Sequence, residues 1–220
     1  MNFAGTEFIL EKKRIKRKDV RKLSYRGKGW PGMMSIQIKQ GQELDIPLLG
    51  KWNSYWPVFA SFFFTPMRCT MCADQSAELA DIAAGDAWLP ELKYDRIGES
   101  VIIVRTQIGN KILDLAKSTK AIDIKPLAVD KVEQSQAINL ITKKSDLTTR
   151  LTLLKLFGNV TPTFNPKLDA TVNPIALLRA FFIYFNIWAS SNRSLRSILL
   201  YVPFPLFRLY YGLYKFAALI

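Results

Sequence analysis

The sequence of 220 residues contains no histidine and only two cysteines. Without an imidazole, the chain cannot form a Ser-His-Asp triad, a Cys-His pair or any histidine-ligated metal site. Two cysteines also fall short of the four ligands that zinc and iron–sulfur sites need. Any chemistry must therefore depend on these two thiols, on carboxylates, lysine or tyrosine, or on a bound cofactor.

Long apolar runs are missing as well. No segment has 18 consecutive apolar residues, and residues 180–192 form the nearest uncharged run. The N-terminus places its apolar residues before its charges, the reverse of a signal peptide, so we expect a cytoplasmic protein.

The C-terminal region has no acidic residue. Residues 171–220 contain 5 basic residues and 12 of the 27 aromatic ones. Three interpretations are open: apolar helices that pack on the core or on a partner subunit, a peripheral contact with an anionic membrane, or a membrane span.

The net charge of +13 is concentrated at the two ends of the chain. Residues 1–28 hold 10 basic and 3 acidic residues, whereas residues 29–170 are nearly neutral, with 16 basic and 15 acidic ones. No zinc-finger spacing and no base-stacking motif accompanies this charge, so we do not expect nucleic-acid binding.

The patterns along the chain predict an α+β fold, a mixed α/β sheet with flanking helices, and an apolar helical C-terminal extension. The predicted elements are a helix at 6–14 capped by Thr6, a strand at 23–27, a hairpin at 33–48 around Gly41, a helix ending near Phe63, a strand at 100–105 followed by an amphipathic helix, a strand at 121–127 and a helix from 130 capped by Asp130. We expect three segments: a domain at 1–156, a linker at 157–174 and the extension at 175–220.

The segment from Gly27 to Gly32 matches the pattern GxGxxG. A dinucleotide-binding turn requires a helix directly after its glycines, but here Pro31 and a strand-like run follow. Two interpretations stay open: a tight turn that enters the hairpin, or a platform for an anion and a ring, made by Arg26 and Lys28 beside Trp30.

Cys69 and Cys72 form a lone CxxC pair. Thiolates at this spacing can hold one metal from a turn, but the chain offers no other soft ligand to complete the set. The alternatives are a redox pair that opens a helix and an incidental spacing.

Asp81 and Asp86 lie five residues apart, with Gly85 before the second one. On a strand, residues an odd number apart point to opposite faces, which argues against a general acid–base pair. We favour cap and turn roles for both carboxylates.

In order along the chain, these motifs resemble one family. YRGKGWPG at 25–32, RCTMCAD at 68–74, ELADIAAGDAWLPE at 78–91 and GESVIIVRTQIGNKIL at 98–113 are similar to the C-terminal domain of the coenzyme F420 hydrogenase/dehydrogenase beta subunit family. The resemblance covers residues 6 to about 140.

The resemblance implies an iron–sulfur flavoprotein oxidoreductase, which passes electrons between a [4Fe–4S] cluster, FAD and a reducible substrate such as coenzyme F420 or a pigment. By this resemblance, Cys69 and Cys72 would be cluster ligands, Arg26, Lys28, Gly29 and Trp30 would belong to the loop near the flavin, and the segment around Asp81, Gly85 and Asp86 would be a structural strand beneath the cluster.

The chain departs from the family pattern, because family members carry a preceding region with further cysteines. We therefore expect a fragment of a longer protein, or a partner polypeptide that supplies the remaining ligands. The alternative is a non-enzymatic remnant that acts as an interaction module or a peripheral membrane module.

Overall fold

A computed structural model describes residues 2–164 and 172–219. It divides the chain into two compact units, Met1–Cys72 with Asp146–Ile220, and Ala73–Ser145. The expected class is confirmed, since both units combine small antiparallel sheets with flanking helices. The three sequence segments stay a prediction, and residues 165–171 of the expected linker lie outside the described residues.

The first unit begins with helix α1, Phe3–Lys12. The side chain of Asn2 caps it by accepting a hydrogen bond from the Gly5 amide at 3.2 Å. The prediction of Thr6 as the cap is wrong, because Thr6 lies inside the helix and its hydroxyl bonds the Tyr25 hydroxyl instead.

A three-stranded antiparallel sheet follows, with β1 at Val20–Ser24, β2 at Met33–Ile38 and β3 at Glu43–Pro47. Strands β2 and β3 form the predicted hairpin, and the φ of +84° at Gly41 explains why glycine stands in its turn. Met34, Ile36 and Ile46 are fully buried, as the alternation predicts. Strand β1 ends at Ser24, so the glycine-rich segment is a loop between two paired strands.

The aromatic segment forms a shorter helix than expected. Helix α2 spans only Trp56–Ala60, and the short helix α3 spans Met67–Thr70. Between them, Phe62 and Phe64 have φ values of +67° and +59°, which an α-helix cannot contain. The Phe64 amide donates to Ser190 Oγ at 2.9 Å and the Phe64 ring packs on Phe8, so tertiary contacts override the helical pattern.

The unit is completed by four helices: α6 at Leu147–Leu156, α7 at Pro174–Ser191, α8 at Arg193–Tyr201 and α9 at Phe204–Leu219. One face of α7 lies in a buried apolar cluster with Leu154 of α6 and Tyr214 of α9. Asn186 on this face donates to the Ser61 carbonyl at 2.7 Å and accepts from the Tyr210 hydroxyl at 2.9 Å. Of the three interpretations of the C-terminal region, packing on the core is therefore the one that holds for this face of α7.

A buried ion pair joins α6 and α7. The Arg179 guanidinium donates to both carboxylate oxygens of Asp146, each at 2.7 Å, and the two side chains are only 8% and 5% exposed. This bond raises the pKa of Arg179 above its usual value. Within residues 2–164 and 172–219, we find no helix with both the length and the apolar character needed to cross a bilayer.

The second unit contains β4 at Ile82–Asp86, β5 at Ser100–Val104, α4 at Gln107–Ser118 and α5 at Val129–Leu140, followed by a π-helical turn at Ile141–Ser145. Strand β5 and the amphipathic helix α4 confirm two predictions. The predicted strand at 121–127 is wrong, because this mostly exposed segment pairs with no strand in the described part of the chain. Asp130 lies in the first turn of α5 rather than at its cap position, which Ala128 holds.

Candidate functional site

The glycine loop, residues 25–32, connects β1 to β2. Its backbone closes through a hydrogen bond from the Met33 amide to the Gly27 carbonyl at 3.0 Å. Gly32 has a φ of +95°, and a Cβ at this position would lie 3.1 Å from the Gly27 carbonyl oxygen. Strand β2 follows the loop directly, whereas a Rossmann turn is followed by a helix. The loop is therefore no Rossmann turn, as the sequence indicated.

Lys28 extends from this loop to two carboxylates of β3. Its Nζ lies 2.6 Å from Asp45 Oδ2 and 2.8 Å from Glu43 Oε1. The bond to Asp45 is the main reason why the pKa of Lys28 is raised, and it lowers the pKa of Asp45 in turn. The Lys28 charge is thus neutralised within the sheet, which weakens its expected role as an anion contact.

Arg26 and Trp30 are brought together as the sequence suggested. The Arg26 guanidinium carbon lies 5.3 Å from the centroid of the Trp30 ring, in range for a cation–π contact. The base of the loop is held by the Tyr55 hydroxyl, which donates to the Tyr25 carbonyl at 2.6 Å. Burial raises the pKa of Tyr55 to about 12, so this hydroxyl keeps its proton over the physiological range.

The cysteine pair lies in and just after helix α3. Cys69 is exposed, Cys72 is partly buried, and neither is part of a disulfide. The Cys69 amide donates to the Pro66 carbonyl at 2.9 Å, and the Thr70 hydroxyl donates to the Met67 carbonyl at 2.7 Å. These local bonds hold Cys69 in a short helical turn, and Cys72 follows two residues after the turn ends.

Two side chains from far along the sequence support this turn. Arg150 of α6 is almost completely buried, and its Nε donates at 3.0 Å to the carbonyl of Thr70, which lies between the two cysteines in the sequence. Tyr184 of α7 donates to the Arg150 carbonyl at 3.2 Å. Burial is the main reason why the pKa of Arg150 is lowered and that of Tyr184 is raised. No sequence pattern singles out Arg150, which is one of two charged residues in a helix of leucines and threonines.

Asp81 and Asp86 lie at the two ends of strand β4. Asp81 directly precedes β4. Its side chain accepts a hydrogen bond from the Thr106 hydroxyl, and its backbone carbonyl accepts one from the Arg105 amide. Gly109 packs so closely here that a Cβ would lie 2.6 Å from the Asp81 carbonyl oxygen. Asp86 ends β4 opposite Ser100. The Asp81 side chain thus ties the start of β4 to Thr106, which caps helix α4.

The donor set does not complete a metal site. Within the part of the chain that the structure describes, no group of three or more Cys, Asp or Glu side chains is placed to hold a metal ion. The sequence has no third cysteine and no histidine. These residues therefore offer two thiols to a cluster that needs four ligands, and the cluster does not fit this chain alone.

The family model for the C terminus of the beta subunit of coenzyme F420 hydrogenase/dehydrogenase matches residues 1–130. The chain belongs to this family. The match spans the glycine loop, the cysteine pair, both strands of the second unit and helix α4, whereas helices α6 to α9 lie beyond it. No curated protein matches the chain. Family membership therefore fits the motifs that the sequence showed, and the Arg150 support comes from outside the matched region.

Proposed function

We propose that this chain is the C-terminal portion of an iron–sulfur flavoprotein oxidoreductase, in which Cys69 and Cys72 ligate part of a [4Fe–4S] cluster. Family membership supports an oxidoreductase-related role. The observation that carries the proposal is the cysteine pair itself, with Cys69 in and Cys72 just after helix α3, Cys69 exposed and neither in a disulfide. A thiol must be reachable and reduced to serve as a cluster ligand.

The missing ligands are expected from outside this sequence, from a partner polypeptide or another region of a longer protein. Two thiols leave half of the ligand positions to water or to small thiols, so a cluster held by them alone would be labile. The substrate that exchanges electrons with the complete protein would be coenzyme F420 or a pigment.

FAD is proposed to contact the glycine loop through Arg26 and Trp30. A guanidinium on an aromatic ring offers positive charge and a flat apolar surface, which suit a phosphate and an isoalloxazine ring respectively. Lys28 is the weaker candidate because Glu43 and Asp45 already pair with it.

The cluster proposal is tested by anaerobic reconstitution with iron and sulfide. We expect the chain to retain iron well below four atoms per molecule, because it supplies only two thiols. The C69S/C72S double variant should retain only background iron, whereas the matched variant Met71→Leu, between the two thiols, should behave like the wild type. Equal iron in wild type and double variant would refute the cysteine assignment.

The flavin proposal is tested separately by titration with FAD, followed by its fluorescence. We expect weak binding that falls further in Arg26→Ala. The control Lys39→Ala removes a charge from the turn between β2 and β3 and should leave binding unchanged. Equal affinity in wild type and Arg26→Ala would show that the loop is only a turn.

A second candidate function is a non-enzymatic interaction module that keeps the fold without the cofactors. The incomplete donor set among the described residues favours it. It predicts no iron above background in the wild type, so the reconstitution experiment separates the two candidates.

A further inference from the structure

The two basic ends of the chain converge in the first unit. Lys12, at the end of α1, donates through Nζ to the carbonyl oxygens of Leu200 and Val202, at 3.0 and 2.5 Å. Its Nζ lies 5.1 Å from the centroid of the Phe204 ring, and that of Lys13 lies 5.4 Å from it. The basic segment after α1 thus begins beside the corner between α8 and α9, although 188 residues separate Lys12 from Leu200.

The charge near this corner is strongly positive. Every charged side chain among the described residues from 172 to 219 is basic. Arg179 is paired with Asp146 in the interior. Of the other four, Arg196 is partly exposed, Arg193, Arg208 and Lys215 are exposed, and the Arg208 guanidinium lies 5.1 Å from the centroid of the Trp52 ring. On and after α1, Glu7, Glu11 and Asp19 offset only part of the six basic residues between 12 and 18, and Glu7 already pairs with Arg17.

The outer face of α7 is apolar. Leu178, Phe181, Phe185 and Trp188 are 51%, 55%, 47% and 56% exposed, and their spacing of three and four residues places them on one side of the helix. The rings of Phe185 and Trp188 are 5.8 Å apart. The opposite side of α7 forms the buried cluster, so the helix is apolar on both sides.

Helix α9 repeats this pattern. Leu206, Leu209 and Leu213 are 52% to 64% exposed and lie on one side of the helix. Phe182 of α7 contacts Tyr210 of α9, with ring centroids 6.4 Å apart, which links the two helices. Monomeric proteins rarely expose this many large apolar side chains on neighbouring helices without a binding partner.

We propose that the outer faces of α7 and α9, together with the arginines of α8, form a lipid-docking surface that binds anionic membranes peripherally. Charge complementarity selects this occupant. Aromatic and leucine side chains beside arginines, with no acidic residue between 172 and 219, match the boundary between headgroups and acyl chains of an anionic leaflet. A second copy would bring the same positive charge to the contact and would be repelled. The surface does not depend on the cysteine pair or on any cofactor.

Co-sedimentation of the full-length chain with phosphatidylglycerol/phosphatidylcholine vesicles tests the electrostatic part. We expect binding at low salt, release at about 0.5 M salt, and little binding to phosphatidylcholine alone. The R193Q/R196Q variant should partition about 30-fold more weakly, which corresponds to about 1 kcal/mol for each charge. The matched variant K111Q/K117Q on α4 removes two charges from the second unit and should bind like the wild type.

The apolar part is tested by F181S/W188S on α7, with I112S/L115S on α4 as its control. Ile112 and Leu115 are also exposed, at 54% and 64%. We expect at least about tenfold weaker partitioning for the α7 variant only, because it removes the side chains that would enter the leaflet.

A third measurement does not require a disruptive variant. Brominated lipids should quench tryptophan fluorescence of the bound wild type, and Trp188→Phe should lose most of this quenching while still binding. No binding at low salt, equal binding by the α7 and control variants, or binding that resists salt and alkaline carbonate would overturn the proposal. Self-association detected by sedimentation velocity without vesicle binding would overturn it in favour of a second copy.

Discussion

Removal of the Asp146 carboxylate should destabilise the first unit more than the loss of a surface charge. The Asp146 and Arg179 side chains are 5% and 8% exposed, and two bonds of 2.7 Å join them. Asp146→Ala would leave the guanidinium in the interior without its counter-ion. Breaking one side of a buried pair costs about 3–5 kcal/mol, a large part of the 5–15 kcal/mol that stabilises a typical domain.

Urea unfolding followed by tryptophan fluorescence measures this effect. Four of the five tryptophans lie in the first unit, at positions 30, 52, 56 and 188, so the signal reports mainly on that unit. The control Glu7→Ala breaks an exposed pair with Arg17 in the same unit, and we expect it to cost less than about 1 kcal/mol.

The double variant D146L/R179M tests whether the lost stability comes from the unpaired buried charge. It removes both charges and replaces them by apolar side chains, so it should recover most of the stability lost in Asp146→Ala. A double-mutant cycle completed with the single variants D146L and R179M would then give a large coupling energy. If Asp146→Ala cost no more than Glu7→Ala, the ion pair would contribute nothing beyond an exposed one, and the argument from burial would fail.

Three further outcomes are expected. Gly109→Ala should lower the melting temperature, because a Cβ there would lie 2.6 Å from the Asp81 carbonyl oxygen, whereas Gly85→Ala, which has open space, should not. Folding raises the pKa of Tyr55 and so favours its protonated form. The contribution of Tyr55 to stability should therefore be complete below pH 10 and lost between about pH 10 and 12. Tyr55→Phe should remove this loss from an alkaline unfolding curve, and an unchanged curve would contradict the assignment. Arg150→Met should speed the reaction of the two thiols with an aromatic disulfide, because the Thr70 carbonyl loses its donor, while Lys155→Met on the exposed side of α6 should not.

The candidate site was predictable in part. The residue types and spacing of the glycine loop and the cysteine pair pointed to the family that the comparison confirms. The pairing of Lys28 with Glu43 and Asp45 was not predictable, because it depends on where β3 lies beside the loop. The support of the cysteine turn by Arg150 was equally hidden, since 80 residues separate Arg150 from Thr70.

Local patterns determined the β2–β3 hairpin, strand β5 and helix α4, because side-chain alternation and helical periodicity act between near neighbours in the chain. The sequence alone also showed that histidine and a third cysteine are absent, and these absences exclude histidine-dependent catalysis and a complete set of cluster ligands. Tertiary structure decided the turn at Phe62 and Phe64, the lack of a strand at 121–127 and the burial of Arg179 against Asp146. Each of these depends on a partner distant in sequence, or on the lack of one, and no local pattern specifies which distant groups will meet.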